Sequence, residues 1–368
     1  MRIPPFRLEQ FFARYEFNVA HLLCASDVEG VPLAELLALA DPETRTRYDG
    51  LKLGYTEAWG DPLLRAEIAR DYAKIDREHV LVCGAQEAIF LTMNTLLGPG
   101  DHAIVAFPAY QSLYEVARAA GADVTLLRLE AGAGWQIDPQ ALKRALRPTT
   151  KLIVVNYPHN PSGALITQET QREVVAVARE AGVHLFFDEV YRFLEHDRNE
   201  RLPPAADLYD KAISYSAFSK AYGLAGLRLG WLATEDRALL ERILAMKDYT
   251  SICQSAPSEA LALIALRARD KLVARSLEII RTNLELCDAF FAEHEDVFAW
   301  KRPKASSVAL VRYKRPERAD AFVERLVQAT GVLLLPASAF ELDTNDLRIG
   351  FGRRGMAAGL EKLGAYLV

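Results

Sequence analysis

Residues 151–163 read Lys-Leu-Ile-Val-Val-Asn-Tyr-Pro-His-Asn-Pro-Ser-Gly. The first seven form a near-continuous apolar run, with no alternation between a wet and a dry side. Such a run suits a strand covered on both faces. Two X-Pro bonds and a closing Gly then impose a rigid, non-helical path. Apolar runs of the same kind recur at 79–83, 103–107, 124–129, 183–187, 212–216 and 227–232. Between them, 87–97, 110–120 and 168–180 read as helices. Buried strands alternating with helices predict an α/β fold: a three-layer sandwich around a mostly parallel sheet.

Beyond residue 235 the pattern changes. Residues 236–248 and 258–293 read as long helices. Short strands at 307–313, 332–335 and 347–350 then alternate with helices at 319–329 and 355–366. This predicts a smaller α+β domain. The first 40 residues are expected to pack with it, and 42–55 reads as an irregular crossing. The expected division is a large domain over 41–265 and a small one from 1–40 and 266–368. No Gly/Ser linker separates them, so they should pack closely.

The 368 residues are 51% hydrophobic and 25% charged, with 44 basic against 49 acidic side chains and a net charge of -5. That hydrophobicity excludes wholesale disorder. The acidic balance argues against nucleic acid as a partner. No apolar run approaches the ~18 residues of a membrane span, and the N-terminus has no secretory h-region. Cys24, Cys83, Cys253 and Cys287 lie far apart, in no metal-ligand or redox spacing. A cytoplasmic location is expected, with no metal.

In an open parallel sheet, chemistry collects beyond the carboxyl ends of the strands. Gly84-Ala85-Gln86 opens a helix there, and free N–H groups at a helix start suit a phosphate. Tyr110 follows the next strand and offers a platform for a flat ring. Asn156 and Asn160 sit in the rigid Pro-rich loop, suited to fixed hydrogen bonds with a cofactor oxygen. Asp188 directly follows Leu-Phe-Phe, where a carboxylate is costly unless it faces a cation. Lys220 follows an apolar strand amid small residues, and a lysine so placed readily becomes an amine nucleophile. Arg228 is suited to grip a phosphate bidentately. These parts describe a site for pyridoxal 5′-phosphate.

Three phrases carry a resemblance. They are Asn156-Tyr157-Pro158-His159-Asn160-Pro161-Ser162-Gly163, Asp188-Glu189-Val190-Tyr191, and Ser219-Lys220 with Gly226-Leu227-Arg228-Leu229-Gly230. In order and spacing, the chain resembles the class I/II aminotransferases of the fold-type-I pyridoxal-phosphate enzymes, from about Tyr55 to Arg348. The resemblance implies that Lys220 is the Schiff-base lysine and Asp188 the partner of the pyridinium nitrogen. It makes Tyr191 and Asn160 donors to the phenolic oxygen and Tyr110 the stacking ring. Ala85, Gln86, Ser219 and Arg228 become phosphate ligands, and Tyr55 reaches the phosphate of the other subunit in a homodimer. Arg348, in Asp-Leu-Arg-Ile-Gly-Phe, becomes the clamp on the substrate α-carboxylate.

Two features depart from the common pattern. Ala217 stands where many relatives carry a phosphate-binding hydroxyl. The segment 22–30, Leu-Leu-Cys-Ala-Ser-Asp-Val-Glu-Gly, is unusually acidic. It is similar, with Leu8-Glu9 and the three phrases, to the capreomycidine-synthase-like cyclases that act on hydroxylated arginine. On that likeness Glu9, Ser26, Asp27 and Glu29 join Asn160 and Arg348 as substrate residues, the acids holding a cationic side chain. As simple solvated or capping groups the same acids need no ligand.

The expected function is therefore transamination between an L-amino acid and a 2-oxo acid, with Lys220 moving the proton. The alternative is a lyase or cyclase acting on hydroxyarginine or a related cationic amino acid. Both begin by removing the same Cα proton. A more distant alternative is a ligand-sensing regulator built on the same domain. Such proteins usually carry a winged-helix segment, which the sequence does not suggest.

Overall fold

A computed structural model describes residues 2–368. A two-residue strand, β1 (His21–Leu22), comes first. Seven strands then build the central sheet: β2 (Val80–Gly84), β3 (His102–Phe107), β4 (Asp123–Arg128), β5 (Thr150–Asn156), β6 (His184–Asp188), β7 (Ala212–Ala217) and β8 (Leu229–Ala233). Their spatial order is β2-β8-β7-β6-β5-β3-β4. All pair in parallel except β8, which runs against both β2 and β7. Residues 218–228 are too few for a helical crossover, so the chain must turn back.

The lack of alternation in the strands has a direct cause. Leu152, Val154 and Phe186 enter one apolar core, which also holds Ala88 and Ile89 of helix Ala85–Leu96. Ile153, Val155, Leu185 and Phe187 enter a second core, with Val174, Val177 and Ala178 of helix Gln168–Ala181. Successive side chains point to opposite faces, so two covered faces require every position to be apolar.

The C-terminal third adds β9 (Phe298–Ala299), β10 (Val308–Tyr313), β11 (Val332–Leu333), β12 (Leu335–Pro336) and β13 (Asp346–Gly350). Strands β12, β13, β10 and β9 form an antiparallel sheet in that order, while β11 pairs with β1. The first core continues into this sheet through Ala309, Val311, Leu347 and Ile349. Among the described residues, no helix is long and apolar enough to cross a membrane.

Three local expectations change. Residues 42–55 are not wholly irregular: Pro42–Asp49 is a helix, with Pro42 at its start and the Asp41 side chain accepting from Thr44 N–H at 2.9 Å. Only Thr44 of this helix is buried, so it carries no apolar stripe to read. The stretch 258–293 is two helices, Ala256–Arg267 and Arg269–Glu293, broken at Ala268. Residues 332–335 divide between β11 and β12.

Phe186 is fully buried in β6 and stacks on Tyr215 of β7, with ring centroids 5.7 Å apart. Phe186→Ala is expected to cost about 3–5 kcal/mol, measured as a lower urea midpoint at unchanged slope.

Candidate active site

The register of the sheet gathers the chemistry. Asn156, Asp188 and Tyr215 pair side by side at the carboxyl ends of β5, β6 and β7. Because β8 is reversed, its beginning lies at that same edge, with Gly84 opposite Leu229 and Ala217 opposite Gly230. Arg228, just before β8, is thereby brought beside the start of helix Ala85–Leu96.

A cavity of about 340 Å³ opens at this edge. Ala85, Gln86, Tyr110, Asn156, Asn160, Asp188, Tyr191, Tyr215, Ser219, Lys220 and Arg228 line it from the sheet side. Leu8, Glu9, Phe12 and Glu16 line it from the N-terminal helix Arg7–Tyr15 and the residue after it, and Ala25, Ser26 and Asp27 from the following loop.

Asp188 is 4% exposed. Its carboxylate accepts one hydrogen bond, from Val190 N–H at 3.2 Å, and no salt bridge reaches it among the described residues. Burial pushes its pKa up to about 7, against smaller lowering effects from the Val190 N–H and Lys220. Asn156 braces this corner: its amide donates to Asp188 C=O at 3.0 Å, and its carbonyl oxygen accepts from Asn160 N–H at 2.9 Å. Lys220 Nζ donates to Ser26 Oγ at 2.8 Å and stands 5.5 Å from the centre of the Tyr191 ring. Tyr110 Oη donates to Glu9 Oε1 at 2.7 Å, and burial, then Glu9, raises its pKa.

Arg348 is fully buried beside this wall but does not line the cavity. It donates to Asn160 Oδ1 at 3.2 Å and to Cys24 C=O at 2.7 Å, while its Nε has no partner. The rings of Phe12 and Phe340 flank it at 5.8 and 5.3 Å. Burial lowers its pKa against smaller raising effects led by Tyr191, and no carboxylate forms a salt bridge with it among the described residues.

Two other expected residues lie apart. Tyr55 is 92% exposed, beside a different cavity lined by 53–55 and 253–257. Glu29 lies outside the cavity, accepts from Arg354 N–H at 2.9 Å and is ion-paired with that residue. Asp27 lines the cavity, but both of its oxygens accept from Arg353 Nη2 at 3.0 Å.

Glu16 and Phe12 were not anticipated, and Leu8 only as part of the Leu8-Glu9 likeness. The spacing of Leu8 and Phe12, four apart with Glu9 and Glu16 beside them, is the helical signal that marks them. Burial raises the pKa of Glu16, reinforced by Asp27.

The description "Aminotransferase class I and II" matches residues 33–363. The chain belongs to that family. It is 31% identical to the capreomycidine synthase of Streptomyces vinaceus, over 99% of this chain and 95% of that one. A PLP-dependent aminotransferase from Streptococcus suis 89-1591 superposes with a TM-score of 0.93 at 32% identity, covering 100% of this chain and 98% of the other. The PLP-dependent cyclase OrfR superposes at 0.89 with 30% identity, covering 100% and 98%.

This family member is an enzyme, and pyridoxal 5′-phosphate is its cofactor. The residues present fit that group. Asp188 is a buried carboxylate lacking a cation, and a pyridinium supplies one. Ala85 and Gln86 open a helix whose first N–H groups have no intrahelical acceptors, which favours a phosphate. The Asn160 NH₂ donates to no described residue, and the Lys220 amine has one hydrogen-bond partner among the described residues, Ser26 Oγ.

In the cofactor-free protein, Asp188 opposes folding as it ionises. Its folded pKa lies above the unfolded value, so stability falls between about pH 4 and pH 7. Asp188→Asn should remove this penalty and be more stable by on the order of 2–4 kcal/mol at neutral pH. The advantage should vanish below about pH 4, as read by denaturant unfolding across pH.

Proposed function

We propose that the enzyme is an aminotransferase moving an amino group between an L-amino acid and a 2-oxo acid, with Lys220 as the covalent anchor of the cofactor. The match to the aminotransferase family over residues 33–363 supports the reaction, and the convergence of the Lys220 amine and the unpaired Asp188 carboxylate in one cavity supports the role of Lys220.

When bound, the cofactor supplies an electron sink for the carbanion formed at the substrate Cα. The chain does the rest. Asp188 keeps the ring nitrogen protonated, as a charge-assisted pair. Asn160 and Tyr191 donate to the phenolic oxygen, and Tyr110 backs the ring. Ala85, Gln86, Ser219 and Arg228 hold the phosphate, where Ala217 offers no hydroxyl. Arg348 receives the substrate carboxylate, which pairs its buried guanidinium. The Lys220 amine would take the Cα proton and return it as general base and acid.

A homodimer completes the site, with Tyr55 serving the phosphate of the other subunit. Its support is the exposure of Leu53, Tyr55, Tyr249 and Ile252, large apolar groups that a partner surface covers. The large unit over 41–265 and the small unit of 1–40 and 266–368 form the two walls of the cavity. Four uncrosslinked cysteines support a cytoplasmic location.

A second reading, cyclisation or elimination on a hydroxyarginine-like amino acid, is favoured by the acids of the N-terminal wall. Asp27 and Glu29 are paired with Arg353 and Arg354, and Glu9 bonds Tyr110. Glu16 alone lines the cavity with no hydrogen bond or ion pair among the described residues, leaving it free to meet a cationic side chain.

The two readings separate with ¹⁵N-labelled donors. Transfer of label to an added 2-oxo acid is expected for transamination. A cyclic product from a hydroxylated arginine, without transfer, would replace it with the second reading. Lys220→Ala should abolish the visible absorbance of the lysine-bound cofactor. A retained band in that variant would overturn the assignment of Lys220.

A further inference from the structure

Ser26 belongs to a loop that the structure holds from both sides. Leu23 C=O accepts from Gly350 N–H at 2.8 Å, and Glu29 N–H donates to Gly352 C=O at 2.9 Å. The contact is too close for any side chain. A Cβ at Gly350 would lie 1.9 Å from Ala25 O, and one at Gly352 would lie 2.3 Å from Asp27 O. Arg353 grips Asp27 from the same segment. The carbonyl of Ser26 accepts from Tyr191 Oη at 3.2 Å and from Ser307 Oγ at 2.7 Å. With its carbonyl held and its neighbours pinned, Ser26 presents its hydroxyl to the cavity from a fixed backbone. That hydroxyl lies 2.8 Å from Lys220 Nζ and is the only hydrogen-bond partner of the amine among the described residues.

The Lys220 amine must be free of the cofactor while it carries the Cα proton. A primary amine on a flexible four-carbon stem rotates freely, and a base works only within reach of its proton and correctly aimed. We propose that Ser26 is a positioning residue that holds the free Lys220 amine, so that its lone pair stays directed into the cavity while the proton is taken from Cα. The N–H bond forms as the Cα–H bond breaks, and the electron pair remains with the substrate. The inference rests on the reading of Lys220 as the proton carrier. It adds a residue of the N-terminal loop to a site otherwise drawn from the strand ends.

Ser26→Ala removes only the hydroxyl and leaves the Ser307 bond to the Ser26 carbonyl in place. In the holoenzyme it should keep the lysine-bound absorbance and the thermal midpoint. Its kcat should fall about 10- to 100-fold with little change in KM, and the isotope effect from Cα-deuterated substrate should grow. Ser26→Thr should restore both. In the cofactor-free protein, labelling of Lys220 by an amine-directed reagent, read by mass spectrometry, should become several-fold faster in Ser26→Ala and not in Ser26→Thr. Wild-type isotope effect and labelling in Ser26→Ala would overturn the proposal. So would a Ser26→Thr variant as slow as Ser26→Ala, or a Ser26→Ala variant that loses the cofactor band. Absence of that band in the wild type would instead overturn the reading of Lys220.

Discussion

The carboxylate of Asp188 sets the terms for everything around it. It ends a strand whose other residues are apolar on both faces, and it is almost out of water with a single N–H to satisfy it. A buried carboxylate of this kind usually has an arginine within reach. Here the nearby guanidinium of Arg348 is committed to Asn160 and Cys24, and Arg192 lies with Glu189. No protein cation pairs with Asp188 among the described residues, which makes the position expensive as structure and useful as a binding group. The register that aligns Asp188 with Asn156 and Tyr215 places this cost at the mouth of a cavity. A cationic ring can relieve it there.

Arg348 presents the same situation with opposite sign. Its charge is buried, two of its three nitrogens are bonded to neutral oxygens, and the third is bonded to nothing. Two desolvated charges of opposite sign could neutralise one another if they touched. The fold keeps them apart, with Asn160 bonding the arginine and, through its backbone and Asn156, tied to the aspartate corner. Stability is thereby held below what a direct pair would give. In return, the cavity edge favours a cation, and the buried guanidinium behind its wall favours a carboxylate. An amino acid joined to a pyridinium cofactor carries both.

The strands and the residues that follow them were legible because burial on two faces leaves a mark on every position of the strand. The sheet edge was likewise legible: Ala85, Tyr110, Asn160, Asp188, Tyr191, Ser219, Lys220 and Arg228 all line the same cavity. What was not legible depended on partners far away in sequence. The acids of residues 27–29 looked available until Arg353 and Arg354, more than 300 positions later, were seen to engage them. Helix Pro42–Asp49 left no apolar stripe. Helix Arg7–Tyr15 did, through Leu8 and Phe12, but its role as a wall of the cavity follows only from its packing beside Arg348. Tyr55 stands in solvent, where no property of the single chain assigns it a site.

This division between strand ends and N-terminal wall bears on how the reaction is chosen. Residues at the strand ends stabilise charge on the cofactor and serve every reaction that begins with loss of the Cα proton. They therefore cannot separate transamination from elimination. The separation depends on where the proton goes next, to the cofactor side or toward a leaving group, and on what holds the substrate side chain. The segment 8–27 lines the cavity on the side facing these groups. It supplies Glu9 and Glu16 to the cavity and Ser26 to the lysine amine, and its position is locked by two glycines of the C-terminal segment. A change in that segment can redirect the chemistry without altering any group that holds the cofactor.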